Sequence, residues 1–245
     1  MNTQNINKWH MCSPKINIET IDSFREKGYS LLRNFYPNQV VHILKEKILE
    51  IAITHPEYCL YDQSTLSNEI LLHRIYSPIY INNQIGDLLD ISKLQFIIEN
   101  ICSEKVSLLT DKVNLKLPGG KGFPPHQDMQ GSFKKYVDNI VTAFICLDDS
   151  NEQNGCLEIA GGLHKIGLFE VENRSIPEKD LKFMKFEKIT QNAGDILLFD
   201  GFVPHKSGAN HSNSSRICIV LTFNKEKTGN FRDLYFYEGF RMKYE

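Results

Sequence analysis

At Val106 the chain changes its hydrophobic period, and that change limits the folds open to it. Before it, apolar residues recur every three or four positions, as on a helix face. After it they alternate: Val113, Leu115 and Leu117 are interleaved with Asn114 and Lys116, the pattern of a strand with one buried face. Further strands are expected over residues 139–147, 155–160, 165–171, 184–190, 195–199 and 216–223, separated by Gly, Asn, Asp and Pro. Asn154-Gly155 and Asn192-Ala-Gly-Asp195 are turn signals. Six or seven short strands at this spacing predict a sandwich or jelly roll.

The preceding stretch, residues 1–105, reads as mainly helical. A helix over residues 18–27 carries Ile18, Ile21 and Phe24 on one face and stops at Gly28, a C-terminal cap glycine. Pro37 opens a longer helix with Val40, Val41, Leu44, Ile48 and Ile51 on one face. Residues 84–102 carry two shorter helices, the second with Leu94, Ile97, Ile98 and Ile101. Leu71 to Tyr76 is less regular, and residues 226–245 form a C-terminal tail. At 245 residues, with no repeat, low-complexity tract or linker, the chain is expected to be one domain with residues 106–225 as its β core.

Net charge is −2, which supplies no electrostatic reason to expect nucleic acid or an anionic membrane as partner. No apolar run reaches the roughly 18 residues that span a bilayer. The first residues, Met1 to Lys8, lack the apolar core of a signal peptide. Cys12, Cys59, Cys102, Cys146, Cys156 and Cys218 are scattered without Cys-x-x-Cys spacing, so reduced thiols and a cytoplasmic setting are expected. Oligomeric state is left open.

The chemistry-bearing stretch is Gly122-Phe-Pro-Pro-His-Gln-Asp128. On extended backbone His126 and Asp128 point the same way, and the two prolines hold the approach extended. A second histidine from a distant strand would complete two imidazoles and a carboxylate around one metal, the set used for non-heme Fe(II) and O₂ chemistry. A lone His-x-Asp is weak, and His55-Pro-Glu57 offers the same ligand types at a helix end, where positions i and i+2 do not share a face. His10, His42, His55 and His211 sit in polar or helical surroundings and read as solvated or capping residues. The stronger signal is the combination: His205 follows the buried run Asp195-Ile-Leu-Leu-Phe199, Ser207 faces the same way, and Arg216 opens the next strand.

These elements, with Asn154-Gly-Cys-Leu-Glu-Ile-Ala-Gly-Gly-Leu-His-Lys165 and Gly194-Asp195, resemble the phytanoyl-CoA dioxygenase-like family of Fe(II)/2-oxoglutarate oxygenases. The resemblance spans roughly residues 20 to 225. Lys112-Val-Asn-Leu-Lys-Leu-Pro-Gly-Gly120 is also similar to bacterial members acting on small polar metabolites, among them aminoethylphosphonate and ectoine hydroxylases. Where the family commonly has Pro-Gly-Ser-His, this chain has Gly161-Gly-Leu-His164.

The resemblance implies an all-β core, a cupin-like double-stranded β-helix or jelly roll, with N-terminal α-helices packed outside. It implies that His126, Asp128 and His205 hold Fe(II), and that 2-oxoglutarate and O₂ are co-substrates. Arg216 would clamp the distal carboxylate of 2-oxoglutarate through its guanidinium fork, with Ser207, Asn114 and Thr142 as further contacts. His164 matches a family histidine that is not a ligand. Asp128 also argues against halogenation, because related halogenases carry a small residue there. The implied reaction hydroxylates a small-molecule substrate as 2-oxoglutarate becomes succinate and CO₂. Arg74, Lys116 and Gln130 are the expected substrate contacts, favouring a carboxylate- or phosphonate-bearing molecule, and Met129 to Val137 forms a roof over the site. Two other readings stay open: a metal-containing cupin-like sensor or binding protein, and a metal-dependent isomerase or hydrolase.

Overall fold

The computed structural model describes residues 18–171, 175–226 and 229–244. In chain order the elements are α1 (Ile18–Lys27), β1 (Tyr29–Leu32), α2 (Asn38–Thr54), β2 (Cys59–Gln63), β3 (Ile70–Tyr76), α3 (Pro78–Ile81), α4 (Asn83–Leu89), α5 (Ile91–Cys102), β4 (Val106–Lys116), β5 (Phe123–His126), β6 (Ile140–Cys146), β7 (Leu157–Ile159), α6 (Glu178–Leu181), β8 (Glu187–Ile189), β9 (Ile196–Asp200), β10 (His205–Ser207), β11 (Arg216–Lys225) and α7 (Arg232–Tyr244). A seven-stranded sheet runs β1-β9-β6-β11-β4-β3-β2 and a four-stranded sheet runs β5-β10-β7-β8. Their recorded pairings are antiparallel. This is the expected jelly-roll core.

The pleat of β11 shows how the layers are divided. Ile217, Ile219, Leu221 and Phe223 join the cluster under the helices, together with Leu44, Ile48, Leu94 and Ile98. Cys218 and Val220 point the other way, into a second cluster with Phe144, Leu157, Leu197 and Phe199 between the sheets. Both faces of the large sheet are therefore covered, which is why β6 is buried at every position. The five apolar positions expected on α2 are its buried residues, each worth roughly 1.5–3 kcal/mol of burial. At Gly28 φ is +77°, and its N–H caps the carbonyl of Phe24.

Several expected boundaries are corrected. Residues 165–171 are not a strand: a 3-10 turn at Leu163–Ile166 runs into irregular chain. Gly167 has φ +91°, and the backbone of Gly167 and Phe169 bonds to Gln127 and Gln130 rather than to a neighbouring strand. The irregular Leu71–Tyr76 stretch is β3, paired with β4 and β2. β1 and β2 also come from the stretch read as helical. The expected tail contains α7, whose Tyr235 stacks on Phe133 at 5.2 Å. His10 and Cys12 lie outside the described residues, and the other five cysteines are free thiols. No helix among the described residues is long and apolar enough to cross a membrane.

Candidate active site

β5 and β10 are neighbours in the small sheet, and His126 lies directly opposite His205, with ring centroids 4.2 Å apart. Each imidazole is aimed by its own backbone. Nδ1 of His126 donates to the carbonyl of Pro124 at 2.7 Å, and Nδ1 of His205 donates to that of Val203 at 3.0 Å. A carbonyl only accepts, so the proton sits on Nδ1 and the Nε2 lone pairs face inward. Oδ1 of Asp128 is 3.7 Å from Nε2 of His126 and 3.6 Å from Nε2 of His205.

The residue between the first two ligands explains their common direction. Gln127 is extended, with φ −116° and ψ 136°, so its side chain points away from those on either side. It is anchored by donating to the carbonyls of Gly167 and Phe202 and by accepting from the N–H of Phe169. On the other side of the site, the Thr142 hydroxyl donates to Oδ2 of Asp128 at 2.7 Å, leaving Oδ1 to face the histidines. Ligand atoms of His126, Asp128 and His205 all lie within 4.8 Å of one another. The donor set suits a divalent transition metal: two neutral nitrogens and one carboxylate on one side, with the opposite side open to the cavity.

The electrostatics fit the same group. Burial, then the neighbouring His205, pushes His126 down to about 4, so the ring is neutral at physiological pH. Burial works to raise the Asp128 carboxyl, but His205, Lys112, His126 and the Thr142 hydroxyl outweigh it and hold the group at about 2.

An open cavity of about 460 Å³, its mouth included, lies in front of these residues. Its lining includes Arg74, Lys112, Asn114 and Arg216, with Phe123, Phe144 and Phe199 as apolar wall. The inward face of β4 supplies Lys112, Asn114 and Lys116 in alternation. Register places Arg216 opposite Lys116 and Cys218 opposite Asn114 on β11, and Arg74 opposite Asn114 on β3.

Arg216 is 1% exposed. Its Nη1 donates to the carbonyl of Gly155 at 2.8 Å, its guanidinium lies over the Phe144 ring, and its Nε is buried without a partner. A buried, orphaned guanidinium donor beside a cavity is a seat for an anion. Gly155 shapes that seat: at φ +74° its Cα packs so closely on the 208–209 backbone that a Cβ would lie 2.3 Å from the oxygen of Gly208.

Three expected contacts are placed differently. Lys116 does not line the cavity; its Nζ lies 2.8 Å from Ser207 Oγ and donates to the carbonyls of Gly155 and Gly208. This puts Lys116 and Ser207 together at the Arg216 end. Gln130 is tied to Gln127 and to the carbonyl of Phe169, which takes it out of the pocket. Thr142 spends its hydroxyl on Asp128. The roof segment is held by packing, with Met129, Phe133 and Val137 buried against Phe231 and Tyr235, and with Lys135 and Tyr136 bonded to Glu238. Arg74 and Asn114 do line the cavity, joined by a 2.9 Å bond from Arg74 Nε to Asn114 Oδ1. His164 packs against Gly28 away from the metal set, and the His55–Glu57 decoy is a local exposed pair at 3.2 Å. Sequence reasoning passed over Lys112. Its period-two relation to Asn114 was the signal that could have found it.

The family profile of phytanoyl-CoA dioxygenase (PhyH) matches residues 24–218. The chain belongs to the phytanoyl-CoA dioxygenase family. Within it, the chain is 30% identical over 218 residues to the 2-aminoethylphosphonate dioxygenase of Uncultured bacterium HF130_AEPn_1, covering 87% of this chain and 83% of that one. It is 26% identical over 219 residues to the methylphosphonate hydroxylase of Gimesia maris, with 88% and 84% covered. Among solved structures, the carbocyclase SnoK from nogalamycin biosynthesis superposes with a TM-score of 0.75 at 17% identity, covering 86% of this chain and 85% of that one. EctD from S. alaskensis, solved with 2-oxoglutarate and 5-hydroxyectoine, gives 0.71 at 18% identity over 87% and 77%. This phytanoyl-CoA dioxygenase family member is an Fe(II)- and 2-oxoglutarate-dependent dioxygenase.

Proposed function

We propose that the chain hydroxylates a small anionic metabolite bearing a phosphonate or carboxylate, with His126, Asp128 and His205 holding Fe(II) and Arg216 seating the distal carboxylate of 2-oxoglutarate. The observation that carries the reading is the convergence of the three ligand atoms on a cavity that also contains the guanidinium of Arg216, with its orphaned Nε. When bound, Fe(II) and 2-oxoglutarate supply the oxidising chemistry, which the protein places and shields from water. Thr142 fixes which carboxylate oxygen of Asp128 faces the metal, and the carbonyls of Pro124 and Val203 fix the histidine tautomers. Lys116 and Ser207 complete the polar end around Arg216. Phe123, Phe144 and Phe199 keep the intervening wall apolar. The phosphonate named in each of the two relatives above and the cationic lining of the cavity support an anionic substrate. The whole described chain would act as one catalytic unit, since β1, β2 and β3 complete the large sheet.

Anaerobic addition of Fe(II) and 2-oxoglutarate to the purified protein tests this. A visible charge-transfer band is expected in the parent. In Arg216→Ala the apparent 2-oxoglutarate affinity should fall by about 10- to 100-fold, the worth of a charge-assisted hydrogen-bonded pair. No band, or an unchanged affinity in the variant, would defeat the assignment.

A further inference from the structure

The charges lining the cavity do not balance, and the imbalance has a location. Arg74, Lys112 and Arg216 are three cations facing a single carboxylate, Asp128. Fe(II) and the 2-oxoglutarate dianion carry equal and opposite charge, so loading both leaves the excess of two positive charges unchanged. Arg216 lies at the co-substrate end of the cavity. The surplus therefore rests on Arg74 and Lys112.

These two residues are neighbours by register. β3 and β4 pair Arg74 with Asn114 and Tyr76 with Lys112, so Arg74 and Lys112 stand diagonally on one face, within reach of a shared ligand. Lys112 is only partly buried. Among the described residues, no hydrogen bond or ion pair engages its ammonium. Arg74 commits only Nε, to Asn114. Its guanidinium is steadied by Tyr76 and Phe123, each ring centroid 5.7 Å away, which leaves its terminal N–H groups to face the cavity. A cation drawn toward the low-dielectric lining of a pocket without a counter-charge is costly unless a ligand supplies one.

We infer that Arg74 and Lys112 form a second anion seat, beside the metal and separate from the Arg216 end, which takes the phosphonate or carboxylate headgroup of the substrate and selects for it. A planar guanidinium fork next to a mobile ammonium suits a tetrahedral dianion, with the fork bridging two oxygens and the ammonium reaching a third. The inference rests on the preceding reading that the substrate is a small anion. It adds which residues recognise it and names Lys112 as a specificity-determining residue.

The test is calorimetric titration of anaerobic protein, loaded with Fe(II) and 2-oxoglutarate, with 2-aminoethylphosphonate, methylphosphonate and 3-aminopropanoate. At least one should bind the parent. Lys112→Met and Arg74→Met should each weaken that binding by about tenfold or more, while Lys112→Arg recovers most of it. The apparent affinity for 2-oxoglutarate, read from the charge-transfer band, should move by less than about twofold in the same variants. Phosphonate binding by Lys112→Met at parental affinity would overturn the inference. So would loss of its 2-oxoglutarate affinity, which would assign the lysine to the co-substrate. Should Lys112→Met fail to fold, Lys112→Gln carries the same comparison. If the parent binds none of these anions, the small-anion reading itself fails and the seat falls with it, so the parental titration separates the two failures.

Discussion

Lys112 and Lys116 stand four residues apart on the same face of β4, and the fold puts them in opposite circumstances. Lys116 is 2% exposed and its amine is enclosed by the carbonyls of Gly155 and Gly208 and the hydroxyl of Ser207. Burial, then Arg216, pushes it down to about 6, so it is largely neutral at pH 7. Lys112 is lowered less, to about 8, by burial and then Arg74, with Asp128 opposing them. It stays mostly charged at pH 7 and has no bonded partner among the described residues. Residue type, strand and face are identical. What separates the two lysines is the backbone opposite them: the 155 and 208 turns surround one, and the cavity faces the other.

The largest effect that tests this contrast comes from the carboxylate nearest Lys112. Asp128→Ala removes a metal ligand, and Fe(II) affinity in anaerobic equilibrium dialysis should fall by more than the ~100-fold that loss of a supporting residue can reach. Turnover should vanish with it. Retained iron would show that the two histidines and the cavity cations do not depend on that carboxylate.

The next effect compares the lysines directly, in stability. Lys116→Met leaves the buried Ser207 hydroxyl without its partner and removes the donor to the part-buried Gly208 carbonyl, and urea denaturation should show a loss of about 1–3 kcal/mol. Lys112→Met leaves no such orphan, and should lie within about 0.5 kcal/mol of the parent. Equal losses at both positions would erase the distinction drawn between them.

The smallest effect is a slope. In the unfolded chain a lysine holds its proton to about pH 10.5, whereas folded Lys116 releases it near 6. Between those values the unfolded state binds the extra proton, so stability of the ligand-free protein should rise with pH across that window. Lys112 contributes over the narrower interval from about 8 to 10.5. Denaturation midpoints measured from pH 6.5 to 7.5, below the Lys112 range, isolate Lys116. The rise there should be flattened in Lys116→Met and kept in Lys112→Met. An unchanged slope in Lys116→Met would mean that the buried lysine stays protonated.

Much of this was legible along the chain, for reasons that can be named. The apolar stripe of α2 and the strands from Val106 onward follow from periodicity, because burial on one face repeats with the geometry of the element. His126 and Asp128 could be paired because one extended residue separates them. Where local pattern and long-range pairing part company, the sequence misleads. Residues 165–171 carry the apolar residues Ile166, Leu168, Phe169 and Val171 of a candidate strand, yet Gln127 and Gln130 hold that backbone and no partner strand among the described residues reaches it. Ile70–Tyr76 lacks clean alternation, yet it pairs with β4 on one side and β2 on the other.

By itself, then, the sequence determined the main N-terminal helices and most of the strands after Val106, the ligand types of the metal set and the arginine eleven residues beyond its last histidine. Those are properties of order and spacing. Only the tertiary structure decided what each polar side chain faces: Thr142 meets Asp128, Gln130 meets Gln127, Lys116 meets the backbone of Gly155 and Gly208, and Lys112 is left facing the cavity. A polar side chain's role depends on the donors and acceptors that other segments bring to it. Those partners are set by strand register and loop placement across tens of residues, which no local pattern records.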